Sequence, residues 1–338
     1  MKIIVDAMGG DNAPLEILKG CALAHKEYDV QFILVGNEQA INDVISKEQL
    51  ELGEYEIIHT DEVVSMEDEP TCVIKDKKES SLGKAFTLLR QGYGDAVVSA
   101  GSTGAVLVGA TMTVGRIRGI KRPALATVLP GETGPSMLLD CGANVECRPE
   151  MLLQFALMGS IYMNKIQGVD KPRVMLANVG TEDSKGGPLQ KETFELLKGS
   201  ELNFCGNIEG RDILAGIADV VVADGFSGNL ILKTCEGVAG MMYANLKQVF
   251  KKNFISKLAA TMVMSGLKVF KKKMDYTEYG GAPLMGIAKP VIKAHGSSNA
   301  VAFKNALRQA MEYYNNNVIE TIQTSIAALK EGEKNEGI

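Results

Sequence analysis

Short apolar runs alternate along the chain with longer segments of helical period. KIIVDA from Lys2, QFILVG from Gln31, YEIIHT from Tyr55 and DAVVSAG from Asp95 are brief, mostly apolar and rich in β-branched residues. PALATVLP from Pro123, SMLLDCG from Ser136, RVMLANVG from Arg173 and DVVVADG from Asp219 repeat the pattern. Runs of this kind read as strands buried on both faces. Between them, PLEILKGCALAHK and PEMLLQFALMGSIYMNKI carry apolar residues at helical spacing. The alternation predicts a three-layer α/β/α fold around a mostly parallel sheet. Neither a fixed-period repeat nor a low-complexity linker interrupts it, so residues 1–330 are expected to form a single large α/β unit. The polar tail, residues 331–338, is expected to fray.

One stretch breaks the rhythm. From Phe226 to Met274 no strand pattern appears, and two long helices are expected, with a helical hairpin over residues 230–275. In the second helix Phe254, Leu258, Met262 and Val263 form an apolar stripe, continued by Leu267, Phe270 and Met274. Lys251, Lys252 and Lys257 precede the stripe, and Lys268, Lys271, Lys272 and Lys273 follow it. The pattern suits an ordinary packed or dimer-interface helix. It equally suits a Met-rich surface that touches a bilayer interface or an acidic partner. A protruding hairpin accommodates both.

Composition narrows the class. The 338 residues are 46% hydrophobic and 23% charged, with a net charge of −5. An acidic balance argues against a nucleic-acid partner, because such proteins carry a basic excess. The six cysteines form no C-x-x-C pair and there are three histidines. Neither a metal site nor a disulfide framework is expected, which fits a reducing compartment. The first residues lack the apolar core of a signal peptide, and no apolar run reaches the roughly 20 residues a membrane span needs. A cytoplasmic protein is expected.

The chemistry is expected where the strands end, since ligands of open parallel sheets bind outside the carboxyl ends of the strands. The first strand runs into Met8-Gly9-Gly10-Asp11-Asn12, and DAVVSA into Gly101-Ser102-Thr103-Gly104. SMLLD leads to Cys141-Gly142-Ala143-Asn144, and RVMLA to a loop from Asn178 that holds Lys185 before Gly186-Gly187. DVVVA leads to Asp224-Gly225-Phe226-Ser227-Gly228-Asn229. A sixth polar knot, His295-Gly296-Ser297-Ser298-Asn299, enters the helix of Val301, Ala302 and Leu307. Any one of these loops is explained by helix capping. Six on one edge of one sheet would line a crevice with backbone N–H groups and helix N-termini, which favours phosphate or another oxyanion. There is no P-loop, no G-x-G-x-x-G after the first strand, no G-x-S-x-G and no H-E-x-x-H. The expected site therefore positions reactants and stabilises charge.

Taken in order, VDAMGGDNAP, SAGSTGA, DCGANVECRPE, DGFSGNLILKT, EYGGAPLMG and KAHGSSNA resemble the bacterial phosphate acyltransferases of phospholipid synthesis. The resemblance runs from Asp6 to Asn299. It implies transfer of a fatty acyl group from acyl carrier protein to inorganic phosphate. The acyl phosphate would serve phosphatidic acid synthesis through a membrane glycerol-3-phosphate acyltransferase. It further implies an isopropylmalate dehydrogenase/phosphotransacetylase-like fold, a homodimer, no cofactor and peripheral membrane association. GAPLMGIAKPVIKAHGSSN is similar to a phosphotransacetylase pattern, G-x-x-x-G-x-x-K-P-V, that leads to a serine turn. That likeness places Ser297 or Ser298 in the turn, but the arginine that often follows the serine is absent here. The alternative is a CoA-dependent phosphate acetyl- or butyryltransferase. The Met-rich hairpin favours the longer, lipid-linked chain. An NAD-dependent decarboxylating dehydrogenase would need a metal-binding carboxylate cluster and substrate arginines, for which no pattern is seen. A non-catalytic membrane scaffold would leave the six loops unexplained.

Such a transfer needs oriented phosphate, donors for the thioester oxygen, and a proton or positive charge for the leaving thiolate. Lys185 is expected to neutralise the phosphate or the developing oxyanion. Asn229, with the N–H groups near Gly228, is either an oxyanion site or a cap. Asp224 either orients a ligand or bonds its own turn. His295 is either the donor to the thiolate or a satisfied buried histidine. Ser102, Thr103 and Asn144 are candidates for holding phosphate. Gly9, Asp11, Ser227, Ser297 and Ser298 complete the expected substrate site.

Overall fold

The computed structural model describes residues 1–274 and 280–335. Glu278 and Tyr279 of the fifth motif, and the tail at 336–338, lie outside the described residues, as do the side chains of Lys268, Phe270, Lys271, Lys272, Lys273 and Met274.

Every strand expected from an apolar run is present. The first four are β1 (Lys2–Asp6), β2 (Gln31–Gly36), β3 (Tyr55–His59) and β4 (Ala96–Ser99). PALATVLP divides into β5 (Ala124–Leu125) and β6 (Thr127–Leu129), followed by β7 (Ser136–Leu139) and β8 (Val174–Ala177). Three strands were not legible in the pattern or lay beyond it: β9 (Phe204–Ile208), β11 (Ala282–Met285) and β12 (Val291–Lys293), with β10 (Val220–Val222) between the first and second of these. Gly206 interrupts β9 at a φ of 94°, and β11 and β12 are four and three residues long, too short to show a period.

The expectation of one sheet requires correction. The strands form a seven-stranded sheet, β3-β2-β1-β4-β12-β11-β5, and a five-stranded sheet, β6-β7-β10-β8-β9. Pairing is parallel except for β11 with β12, β11 with β5, and β6 with β7. The chain passes between the sheets at Ala126. Leu125 pairs with Leu284 in one sheet and Thr127 with Leu138 in the other. A single apolar run cannot reveal that its two halves pair with different partners.

The helices that cover the sheets are α1 (Leu15–His25), α2 (Glu38–Glu48), α3 (Ser81–Gln91), α4 (Thr103–Gly109), α5 (Pro149–Lys165) and α6 (Pro188–Lys198). They are followed by α7 (Gly225–Lys251), α8 (Phe254–Met274), α9 (Ala300–Asn315) and α10 (Val318–Asn335). Helix α10 thus carries the polar tail as helix to Asn335. The start of α5 is set by Pro149, whose fixed φ and missing N–H suit a first helical position, with Glu150 beside the positive end of the helix dipole.

One apolar cluster joins α1 and α9 to the first sheet through Val5, Leu34, Leu18 and Phe303. Another packs Phe155, Met158 and Tyr162 of α5 on the second sheet. A third is shared, with Val97 and Leu284 from the first sheet and Leu138 and Val221 from the second. This shared cluster holds the two sets of strand ends beside each other.

The two long helices expected after Phe226 are α7 and α8. Gly225, Gly228 and Leu232 are buried at the start of α7, and further along α7 packs against α8. The apolar stripe of α8 faces outward, with Phe254 81% and Met262 80% exposed. No helix among the described residues is long and apolar enough to cross a membrane.

Candidate active site

Where the two sheets meet, strand-end loops enclose a cavity of about 320 Å³. Its wall draws on both sheets. Thr103 follows β4, Gly142 follows β7, Asn229 follows β10, and Lys293 and His295 lie at and beyond the end of β12. Four of the six expected loops therefore meet. The loops after β1 and β8 do not contribute to the wall.

The wall is built around one carboxylate. Asp140, just beyond β7, is fully buried. Its Oδ1 accepts from the N–H of Leu125 at 3.0 Å, Gly142 at 3.2 Å and Ala143 at 3.1 Å. Its Oδ2 accepts from the backbone N–H of Asn144 at 2.7 Å and from Asn144 Nδ2 at 2.9 Å. Burial raises the Asp140 pKa and these donors oppose the rise. Asn144 Nδ2 also donates to the carbonyl of Pro123 at 2.7 Å, and its own carbonyl accepts from Gly225 N–H at 2.7 Å. Asn144 thus secures the turn and the entry to α7.

Helix α7 starts against this turn. A methyl group on Gly228 would stand 1.8 Å from the Asp140 carbonyl, so only glycine permits the approach. Asp224 is the N-cap. Its Oδ1 accepts from Ser227 N–H and its Oδ2 from Ser227 Oγ, both at 2.8 Å. Asn229 Nδ2 donates to the Cys141 carbonyl at 3.0 Å while the residue lines the cavity. One turn on, Lys233 pairs with Glu236 at 2.8 Å, both in the wall.

The knot that enters α9 is shared between capping and the cavity. Asn299 is the cap, its Oδ1 accepting from Ala302 N–H at 2.9 Å. Glu16 of α1 takes the neighbouring Ala300 N–H at 2.6 Å. This helix mouth therefore already holds a carboxylate of its own chain. Ser297 N–H donates to His295 Nδ1 at 3.2 Å, and Ser297 Oγ lies 2.8 Å from the same nitrogen. Accepting the backbone N–H leaves the ring proton on Nε2. Burial, with Lys233 nearby, lowers the His295 pKa, which favours the neutral ring. Ser298 is buried and donates its N–H to the His295 carbonyl at 3.0 Å.

The remaining candidates lie around this centre. Ser102 is buried at the start of α4, next to Thr103. Asp11 N–H donates to the Gly296 carbonyl at 2.9 Å and ties the first loop to the last. Gly9 packs so closely that an added methyl would stand 2.4 Å from Asp6 Oδ2. Lys185 sits in the exposed loop after β8, its Nζ 3.7 Å from Glu182 Oε1, and is not part of the cavity wall. Among the described residues, no group of three His, Cys, Asp or Glu is placed to hold a metal ion.

One charged group of the wall was not among the residues expected from the sequence. Lys293 ends β12 and lines the cavity, yet is only 6% exposed. Its signal was present in KPVIKAHG, where a lysine closes an apolar run. Such a residue reads as a solvated strand end until neighbouring strands enclose it. Burial lowers its pKa to about 8, with Asp6 and Asp11 opposing the fall and Lys233 adding to it.

The cavity, with buried charge and strand-end donors from two sheets of an α/β fold, has the form of an enzyme active site for an anionic reactant. Comparison with known proteins gives the class directly. A family model described as fatty acid synthesis protein matches residues 1–321, and the chain belongs to that family. It is 49% identical over 333 residues to a phosphate acyltransferase of Anoxybacillus flavithermus, covering 98% of this chain and 100% of that one. It is 48% identical over 326 residues to a phosphate acyltransferase of Thermoanaerobacterium thermosaccharolyticum, covering 96% and 97%. Among solved structures, a phosphotransacetylase from Streptococcus pyogenes superposes with a TM-score of 0.60 at 19% identity, covering 95% of this chain and 94% of that one. The fold is thus shared with phosphotransacetylases, and the enzyme class is phosphate acyltransferase, a transferase of acyl groups.

The lowered Lys293 pKa has a consequence for stability. The folded chain disfavours the ammonium, so the cost is present at neutral pH. It fades as pH rises from about 8 towards 10.5, the ordinary value for a lysine. Lys293→Met is expected to raise the melting temperature at pH 7 by about 2–4 °C. The gain should shrink as pH approaches 10, as followed by differential scanning calorimetry.

Proposed function

We propose that this protein transfers a fatty acyl group from acyl carrier protein to inorganic phosphate, releasing acyl phosphate for phospholipid synthesis. The observation that carries the reading is the cavity between the two sheets, where Lys293, Lys233 and the amide of Asn229 converge. Phosphate is already nucleophilic and needs orientation more than activation. Its oxygen attacks the thioester carbon, the C–O bond forms, and the C–S bond breaks. The side-chain amide of Asn229, which lines the cavity, supplies a donor to the oxyanion. Lys185, on the exposed loop after β8, neutralises the phosphate, the role its glycine-flanked loop suits. Thr103, with Ser102 beside it, borders the phosphate, and His295, held by Ser297 and followed by Ser298, lines the same cavity.

The hairpin extends the reading to where the product goes. Phe254, Ile255, Leu258 and Met262 are exposed on α8, with lysines at 251, 252 and 257 alongside. An apolar face edged by lysines suits the surface of an anionic membrane. The enzyme then works as a peripheral membrane homodimer and passes acyl phosphate to a membrane glycerol-3-phosphate acyltransferase.

Hydroxylamine added to a reaction of acyl carrier protein thioester with phosphate is expected to trap acyl hydroxamate, whereas acetyl-CoA should give little. Active acyl donor with no trapped product would sink the reading. In the same assay Lys185→Ala is expected to lose well over tenfold in turnover while keeping its melting temperature, a loss typical of a missing charge-stabilising group. Phe254→Asp combined with Val263→Asp should abolish co-sedimentation with anionic liposomes yet leave turnover of the soluble donor unchanged. Undiminished sedimentation would refute the membrane contact.

A further inference from the structure

Three buried side chains form a row across neighbouring parallel strands. Asp6 ends β1, Ser99 ends β4 and Lys293 ends β12. The register sets Lys293 against Ser99, and Ser99 Oγ donates to Asp6 Oδ2 at 2.7 Å. Asp6 Oδ1 is buried and has no hydrogen-bond partner among the described residues. Lys293 Nζ donates to the carbonyls of Ala100, at 3.4 Å, and Ala294. No carboxylate among the described residues forms an ion pair with it. The other lysine of the cavity wall, Lys233, is paired with Glu236. A buried ammonium resting on two carbonyls is costly, and an apolar side chain of similar length would remove that cost. Asp6 and Asp11 are near enough to favour the charge, yet the ammonium rests on carbonyls.

We propose that Lys293 donates the proton to the sulfur that leaves in the acyl transfer, a role that rests on the acyl-transfer reading above. Hydrogen phosphate attacks through an unprotonated oxygen, and the electron pair of the breaking C–S bond goes to sulfur. The Lys293 ammonium gives that sulfur a proton and becomes an amine. The amine then takes the proton that the phosphate brought in, which leaves acyl phosphate as its dianion and restores the ammonium. One proton has moved from phosphate to thiol, and nothing else is consumed. A lysine held near 8 is matched to an alkyl thiol, whose pKa is about 8.5, so the transfer is close to level. The charged groups around it act in opposite senses. Asp6 on β1 and Asp11 on the following loop hold its proton on, whereas Lys233 on α7 pushes it off. Glu236 faces the same cavity from α7, and His295 from the loop two residues on.

The leaving group provides the test. Acyl phosphate formation is measured from pH 6 to 10 with two donors: acyl carrier protein thioester, and the thiophenyl ester of the same fatty acid. The thiophenolate leaves without a proton. Wild-type turnover of the alkyl thioester is expected to fall above about pH 8 as the amine form builds up. Lys293→Gln and Lys293→Arg should lose about 10²–10⁴-fold in kcat with the alkyl thioester, the range of general acid catalysis, with KM for phosphate little changed. Both should stay within about tenfold of wild type with the thiophenyl ester. Lys293→Arg keeps the charge and so carries the test if the glutamine variant does not fold. Equal losses with the two donors, or an alkaline decline that survives in both variants, would overturn the proposal. Wild-type protein that is inactive with both donors overturns the acyl-transfer reading, and the proposal with it.

Discussion

The buried carboxylate of Asp140 is the constraint on which the site depends. It belongs to the second sheet, but one of its donors is the N–H of Leu125 in the first. The same group fixes the turn from Gly142 to Asn144. That turn in turn receives the first N–H of α7 through the Asn144 carbonyl. A buried charge is tolerated when donors surround it, and here the donors are the loops that must be held together. Removing the carboxylate would leave four backbone N–H groups of two sheets without a shared acceptor. The loops that border the cavity are thus tied through one buried carboxyl group.

Around that anchor the chain divides its polar groups into two sets. Asp224, Ser227, Asn144 and Asn299 spend their hydrogen bonds on turns and helix starts. Lys293, Asn229 and Thr103 face the cavity. The first set makes the frame rigid, and the second can then be held in positions that packing alone would not choose. The buried Lys293 illustrates this division: it weakens the fold at neutral pH, and the dense packing of the strands on either side sustains it. Lys293 is held in the cavity at a cost to stability, whereas the bonds of Asp140 hold the frame together.

Much of this was legible in the sequence. Eight apolar runs gave strands, and the missing strand pattern after Phe226 gave the two long helices α7 and α8. These are local signals, since period and β-branching act over a few residues. The glycine-rich strand ends were also visible, and Thr103, Asn229 and His295 do line the cavity. Three strands were too short or too interrupted to read. The weight given to each loop residue could not be read either. In a string of letters Asp224 is open between a ligand and its own turn; in the structure it bonds Ser227 of that turn. Lys293 closes the run KPVIK as any strand-end lysine would, because burial is a property of its neighbours.

The sequence by itself determined the order and kind of the elements, the polar chemistry at the strand ends, and membership of a family whose motifs recur in order. Those follow from composition and period along one dimension. The tertiary structure decided which strands share a sheet and which loops meet. It also decided which charges are buried. PALATVLP is one run in the sequence and two strands of different sheets in space. The reason is that pairing and desolvation are set by contacts between segments far apart in the chain, and hydrogen-bond satisfaction is settled only when those segments come together.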